Sequence, residues 1–197
     1  MKKIISALAA AAALAVAPAP SAAGASHGDP SDWTYIYGTD EASPRWDPCA
    51  PVTWSADDPA LARAMSRAAR MAAKFSGLSL VRVPSGGAIE AAWNDEWTEA
   101  NHAVGITGPE FSWGPDGLLW MDRASLGFNT VLVSVGERNL QTTVMHELGH
   151  ALGLGHAHDT VEVMGGNSTV RRYQAGDKAG LAAVQRASCR PQAPGAE

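Results

Sequence analysis

Residues 146–156 read His146-Glu147-Leu148-Gly149-His150-Ala151-Leu152-Gly153-Leu154-Gly155-His156. His146 and His150 are four residues apart, which predicts that they lie one turn apart on one face of a helix running from near Asn139 through His150. Two imidazoles so placed reach a single metal ion. Glu147 is rotated by about 100° from His146, so it shares the ion poorly but can lean over a water bound to it. A helix face supplies only two such ligands. Gly153 lets the backbone leave the helix sharply with φ > 0, and His156 can then turn back as the third. Three neutral imidazoles plus water form an open tetrahedral zinc site, the catalytic pattern and not the closed structural one. In such a site the ion is a Lewis acid that lowers the pKa of its water towards about 7. Glu147 then serves as general base, and the reading is hydrolysis through a zinc-bound water with no Ser or Cys nucleophile. Four of the six histidines fall between residues 146 and 158, which argues against an accidental surface pair. His158 remains an alternative third ligand on the residues alone.

Working outward, Asp58 followed by Pro59 predicts a helix start. Leu61, Met65, Ala68, Ala72 and Phe75 recur at steps of three and four, one apolar helix face and a core element, and Gly77 closes it. Strands are predicted at residues 51–55, 78–83, 88–93, 102–107 and 117–122, the last after the turn signal Gly114-Pro115-Asp116-Gly117. Residues 130–135 (TVLVSV) read as a further β-rich run, and residues 177–187 as a last helix. Strand, helix, several strands, helix, helix is the order of an α+β (mixed α/β) domain with helices packed on a sheet.

The chain has 197 residues, 46% hydrophobic and 18% charged, enough for one domain with a true core. Lys2 and Lys3, the apolar run 4–16 and Ala23-Gly24-Ala25 have the layout of a secretory signal peptide, residues 1–25, too short to be a membrane span. Residues 26–44 read as a flexible leader, 45–189 as the catalytic domain and 190–197 as a frayed tail. The chain carries 15 basic and 20 acidic residues, net −5; without Lys2 and Lys3 that is 13 against 20, net −7. An acidic protein of this kind is a poor nucleic-acid binder. The expected partners are therefore a protein or peptide substrate, with no nucleic acid and no membrane after signal removal, for a secreted monomer. Cys49 and Cys189 are the two cysteines. Outside the cytosol an even pair predicts one disulfide, whose loop constrains the unfolded chain by about 4–5 kcal/mol in the entropy model. The rival is Cys49 as a thiolate blocking the metal.

The stretch 146–156 resembles the H-E-x-x-H-x-x-G-x-x-H signature of the metzincin metallopeptidases. Met164, eight residues after His156, resembles that family's methionine turn at the spacing of the matrixin branch, and Asp159 is similar to that branch too. Arg45-Trp46-Asp47-Pro48-Cys49 resembles the opening of small secreted bacterial members. The resemblance spans residues 45–187 and implies a zincin fold: a twisted, mostly parallel sheet with an antiparallel edge strand, two long helices and a C-terminal helix. It implies one catalytic Zn2+ on His146, His150 and His156, Glu147 as the base and Met164 packed under the site without ligating. The family spacing favours His156 over His158. It also implies an extended substrate along an edge strand, for which residues 102–107 are the candidate, and a pocket walled by residues 165–171. Ala157 stands where matrixins usually show Ser, and Gly166 where astacin-like and serralysin-like members carry a tyrosine. No matrixin-type cysteine switch precedes the domain. Calcium is common in matrixin-like domains, but no dense Asp/Asn loop here demands it. The function expected is a secreted zinc endopeptidase. The alternatives are a zinc-binding, non-cleaving interaction protein on the same fold, or a zinc hydrolase of a non-protein amide.

Overall fold

The structure is a computed structural model and describes residues 27–37, 43–166, 168–185 and 188–191. The expected signal peptide and most of the expected tail lie outside the described residues. Three stretches carry the first half of the domain: β1 (Val52–Ala56), α1 (Pro59–Ser76) and β2 (Leu80–Arg82). β3 (Ile89–Trp93), α2 (Asp95–Ala100), β4 (Gly105–Trp113) and β5 (Leu119–Phe128) follow. α3 (Val131–Val135), α4 (Glu137–Ala151) and α5 (Ala175–Val184) complete the order. One five-stranded sheet runs β2-β1-β3-β5-β4, parallel throughout except for the antiparallel edge strand β4. The expected mixed sheet with two long helices and a C-terminal helix is what forms.

α1 begins and ends as its residues dictate. The Asp58 carboxylate accepts from the amides of Ala60 and Leu61 at 2.7 and 3.0 Å, satisfying N–H groups that the first turn leaves unpaired. Gly77 takes φ 74° and donates its amide to Ala73, a left-handed stop. Leu61, Met65, Ala68 and Ala72 are wholly buried where α1 meets the sheet, α4 and α5. Removing a side chain the size of Leu61 or Met65 from water contributes about 1.5–3 kcal/mol. Trp46 joins the same core and donates its indole N–H to the Ala151 carbonyl at 2.8 Å. Cys49 and Cys189 are disulfide-bonded, so Cys49 offers no thiolate to a metal.

Four local readings are corrected. Residues 131–135 form the helix α3 and not a strand. The Asp95 carboxylate accepts from the amide and hydroxyl of Thr130, at 2.6 and 2.7 Å, and the Asn129 side chain accepts from the Val131 amide. These bonds turn the chain, and the β preference of three valines yields to them. The strand expected from His102 begins instead at Gly105, because residues 95–100 form α2, an element the patterning did not show. Asn94 caps it by accepting from Trp97, and His102 closes it at φ 54°. β4 and β5 run on past their expected ends to Trp113 and Phe128, pairing antiparallel with a register shift between Glu110 and Phe111. Finally, residues 27–37 of the supposed flexible leader pack on the domain. The Gly155 amide donates to Thr34 at 2.7 Å and the Ile36 amide to Gly153 at 2.9 Å. Trp33 and Tyr35 pack against the core, an apolar content that the polar residues around them conceal.

Candidate metal centre

α4 carries His146, Glu147 and His150 on its last two turns. The helix ends at Leu152, and Gly153 takes φ 103°, the left-handed turn that a side chain would resist. The chain reverses, and His156 comes back beside the pair. The imidazole centroids lie 4.7 Å (His146–His150), 5.2 Å (His146–His156) and 4.8 Å (His150–His156) apart. One ring nitrogen from each falls within 4.8 Å of the others. The three histidines named by the sequence are thus brought together. His158 is not among them: its ring is exposed and turned to Asp32, at 3.1 Å.

The ring orientations are fixed from behind. His146 Nδ1 lies 2.8 Å from the Val163 carbonyl and His150 Nδ1 lies 2.7 Å from the Leu154 carbonyl. A carbonyl can only accept, so each Nδ1 carries the proton and each Nε2 presents a lone pair. The two Nε2 atoms face each other at 3.1 Å. Burial is the main cause that lowers the pKa of His146 and, to about 3, that of His150; both rings are held neutral. Neutral imidazoles converging with aligned lone pairs fit a divalent, nitrogen-seeking ion such as zinc.

Glu147 is 5% exposed. Burial raises its pKa to about 7, while a hydrogen bond from the Thr107 hydroxyl, 2.7 Å from Oε2, pulls it down. Thr107 lies on β4, so the edge strand and the helix meet at this carboxylate. A cavity of about 640 Å³ opens between them, lined by all three histidines, Glu147, residues 105–107 of β4 and, on the other side, Thr34–Tyr35–Ile36. The Thr34 hydroxyl donates to the His156 carbonyl at 2.8 Å. None of the described residues of 165–171 lines this cavity; Thr169, Val170 and Arg171 line another against α1.

Beneath the histidines, Met164 is buried. Its sulfur sits so close to Gly149 that a β-carbon there would lie 2.3 Å away, which accounts for glycine at that position of the helix. The turn is held by Asp177, whose carboxylate accepts from the amides of Val163 at 2.8 Å, Met164 at 3.0 Å and Gln174 at 2.8 Å. Glu162, also fully buried, accepts from the amides of Gly176 and Asp177 at 3.0 and 2.9 Å. Burial and the neighbouring Asp177 carboxylate push the Glu162 pKa up to about 7. Tyr173 donates its hydroxyl to the Met145 carbonyl in α4 at 2.9 Å. One continuous path therefore runs from α5 through Asp177 and the Val163–Met164 turn to His146.

Thr107, Thr34, Glu162, Tyr173 and the anchoring role of Asp177 escape the sequence reading. Each acts across a large separation in the chain, with no spacing rule to reveal it. Thr107 and Asp177 left a trace, the one as the last residue of the candidate edge strand and the other as the first of a predicted helix.

The sequence model for the matrixin peptidases matches residues 9–182. No curated protein matches the chain. Among solved structures, one of myroilysin aligns with 73% of this chain and 96% of its own, at 16% identity and a TM-score of 0.50. A crystal structure of myroilysin aligns with 61% of this chain and 55% of its own, at 18% identity and a TM-score of 0.38. The first of these likenesses speaks to the fold alone. The family match spans most of the 197 residues and takes in the histidine cluster and the methionine turn, and on it the chain belongs to the matrixin family of metalloendopeptidases.

Proposed function

We propose that this protein is a secreted zinc endopeptidase in which His146, His150 and His156 hold the ion and Glu147 is the catalytic base. The observation that carries the reading is the convergence of three backbone-oriented imidazoles beside a buried carboxylate in one open cavity. Zinc, when bound, would supply Lewis-acid polarisation of the scissile carbonyl and a water acidified towards neutrality.

The chain's own residues do the rest. β4 is the terminal strand of the sheet, and its residues 105–107 line the cleft. An extended peptide laid along that edge gains backbone hydrogen bonds and brings one of its carbonyls under the histidines. Thr107 holds Glu147 Oε2, so Oε1 takes the proton from the attacking water and returns it to the departing amine. A carboxyl raised to about 7 is matched to taking a proton and giving it back near neutral pH. Met164 supports the histidines from below, and export is carried by residues 1–25.

The test is cleavage of casein by residues 26–197 with oxidised cysteines, with and without a chelator, beside Glu147→Ala. The expected result is cleavage that chelation abolishes and zinc restores. Glu147→Ala should bind zinc normally and lose activity by at least about 10³-fold, the scale of a lost general base and its positioned water. A folded, zinc-loaded wild type that cleaves neither casein nor a peptide library would overturn the assignment.

A further inference from the structure

The charges of this acidic protein are segregated. Between residues 61 and 76 every exposed side chain is a cation: Arg63, Arg67, Arg70 and Lys74. Their spacings of four, three and four set them in one row on the outer face of α1, about 16 Å long at 1.5 Å per residue. α1 contains no Asp or Glu. Arg82, exposed on β2, extends the row at one end, its guanidinium set over the Trp54 ring at 5.6 Å. Arg171 and Arg172, both exposed, flank it beside Arg67. These are seven of the 13 basic residues that remain beyond Lys3.

Two cavities run along the row and share Arg67. One, of about 490 Å³, is lined by Arg63, Arg67, Arg70 and Arg82 and also by Asp57. The other, of about 610 Å³, is lined by Arg67, Arg171 and Arg172 and by Gln141 and Gln174. Arg67 is paired with Glu137, which holds the arginine in place between the two.

Gln141 identifies the occupant. It is 6% exposed, its Nε2 is directed to the Ala64 carbonyl at 3.4 Å, and its Oε1 is buried without a hydrogen-bond partner. A buried acceptor left unpaired is unfavourable, and Gln141 lines the second cavity, so a ligand that brings a donor as well as negative charge fits this face best. Guanidinium groups take sulfate and carboxylate in bidentate fashion, and sugar hydroxyls donate to an amide oxygen. Along α1 no large apolar side chain is exposed among the described residues, and on β2 Val81 alone is, too little apolar surface to seat this face in a lipid layer.

We propose that this face is a docking site for an anionic polysaccharide, sulfated or uronic, separate from the cleft and able to hold the enzyme on such a polymer while its active site stays open. β2 and β4 are opposite edges of the sheet, so a chain bound over α1 and β2 leaves the cleft beside β4 unobstructed.

The test is fluorescence anisotropy with a labelled heparin dodecasaccharide at about 0.1 M NaCl, an ionic strength that leaves surface charges effective over roughly 10 Å. The purified protein should bind it and ignore neutral dextran. Arg63→Glu/Arg70→Glu, and independently Arg171→Glu/Arg172→Glu, should each weaken binding at least tenfold and flatten its dependence on salt. Arg123→Glu, on β5, should not. Casein cleavage should be unchanged in Arg63→Glu/Arg70→Glu, and the melting temperature of each double variant reports that it folds. Gln141→Leu should lose affinity for heparin and none for polyglutamate, which offers charge without hydroxyls. Equal binding of heparin by wild type and both double variants would overturn the proposal. So would tighter binding of a DNA duplex of equal charge than of heparin, which would make the partner a nucleic acid.

Discussion

Thr107 and Glu147 show how much one hydroxyl can contribute. Thr107 is the described partner that fixes the Glu147 carboxylate from the substrate side, and a hydrogen bond to a charged group contributes about 1.5–3 kcal/mol. Thr107→Val keeps the shape and the β preference and removes the donor. It should lower kcat by roughly tenfold to a hundredfold, with KM changed little, as steady-state kinetics on a peptide would show; a rise in KM alone would assign Thr107 to substrate binding. Glu162 makes the second residue-scale prediction. Its folded pKa, about 7, lies above its ordinary 4.5, so the folded state holds the proton more tightly than the unfolded chain. Its contribution to stability is complete below about pH 4.5 and is lost as pH rises through 7. In the chelated protein Glu147 adds to this trend while His146 and His150, held neutral by burial, oppose it up to about pH 6.5, so Glu162 is isolated by comparison: the melting temperature of Glu162→Gln should rise relative to wild type as pH goes from 5 to 8. At this scale the sequence exposed what is local: His146, Glu147 and His150 share two helical turns, and His156 follows one glycine-led reversal. It hid what is distant, because the pairing of Thr107 with Glu147 spans 40 residues and depends on where an edge strand comes to rest.

Among the elements, the two long helices were legible because each states its period and its ends in its own residues: Asp58 and Gly77 for α1, the histidine spacing and Gly153 for α4. α3 was not, because three valines announce a strand while Asp95, 35 residues before Thr130, supplies the bonds that bend the chain. Residues 32–36 are the more consequential case. The Asp32 carboxylate accepts from the amides of His158 and Asp159, both at 2.8 Å, just beyond the third histidine. The segment then pairs with residues 153–155 and walls the cleft. Asp32→Ala should loosen both partners at once. Zinc affinity should fall by about 10–100-fold, the usual scale for lost outer support of a metal site, measured by competition with a chromogenic chelator. Unchanged affinity would restrict the role of the segment to shaping the cleft.

At the scale of the molecule, a parallel sheet ending in one antiparallel strand places an open edge beside the metal site, and the single disulfide joins the first strand's approach to the far end of the chain. Cys49 and Cys189 are 140 residues apart in sequence and 5.3 Å apart at Cα. Replacing both with serine should cost about 2–5 kcal/mol, the usual loss for a native bridge in a small domain, read as the free energy of urea unfolding; a loss below 1 kcal/mol would mean that packing alone holds the ends.

A protease is its own nearest substrate, and the bridge bears on that. Cys49–Cys189 makes a covalent ring of every residue between them, and among the described residues the ring contains all five strands, all five helices and the three histidines. A single cut in any surface loop within it leaves one molecule. The severed ends stay tethered beside their packed partners, so the cut can be tolerated without dissociation. Self-cleaved enzyme would run intact on a gel until its disulfide is reduced, and only a second cut could release a fragment.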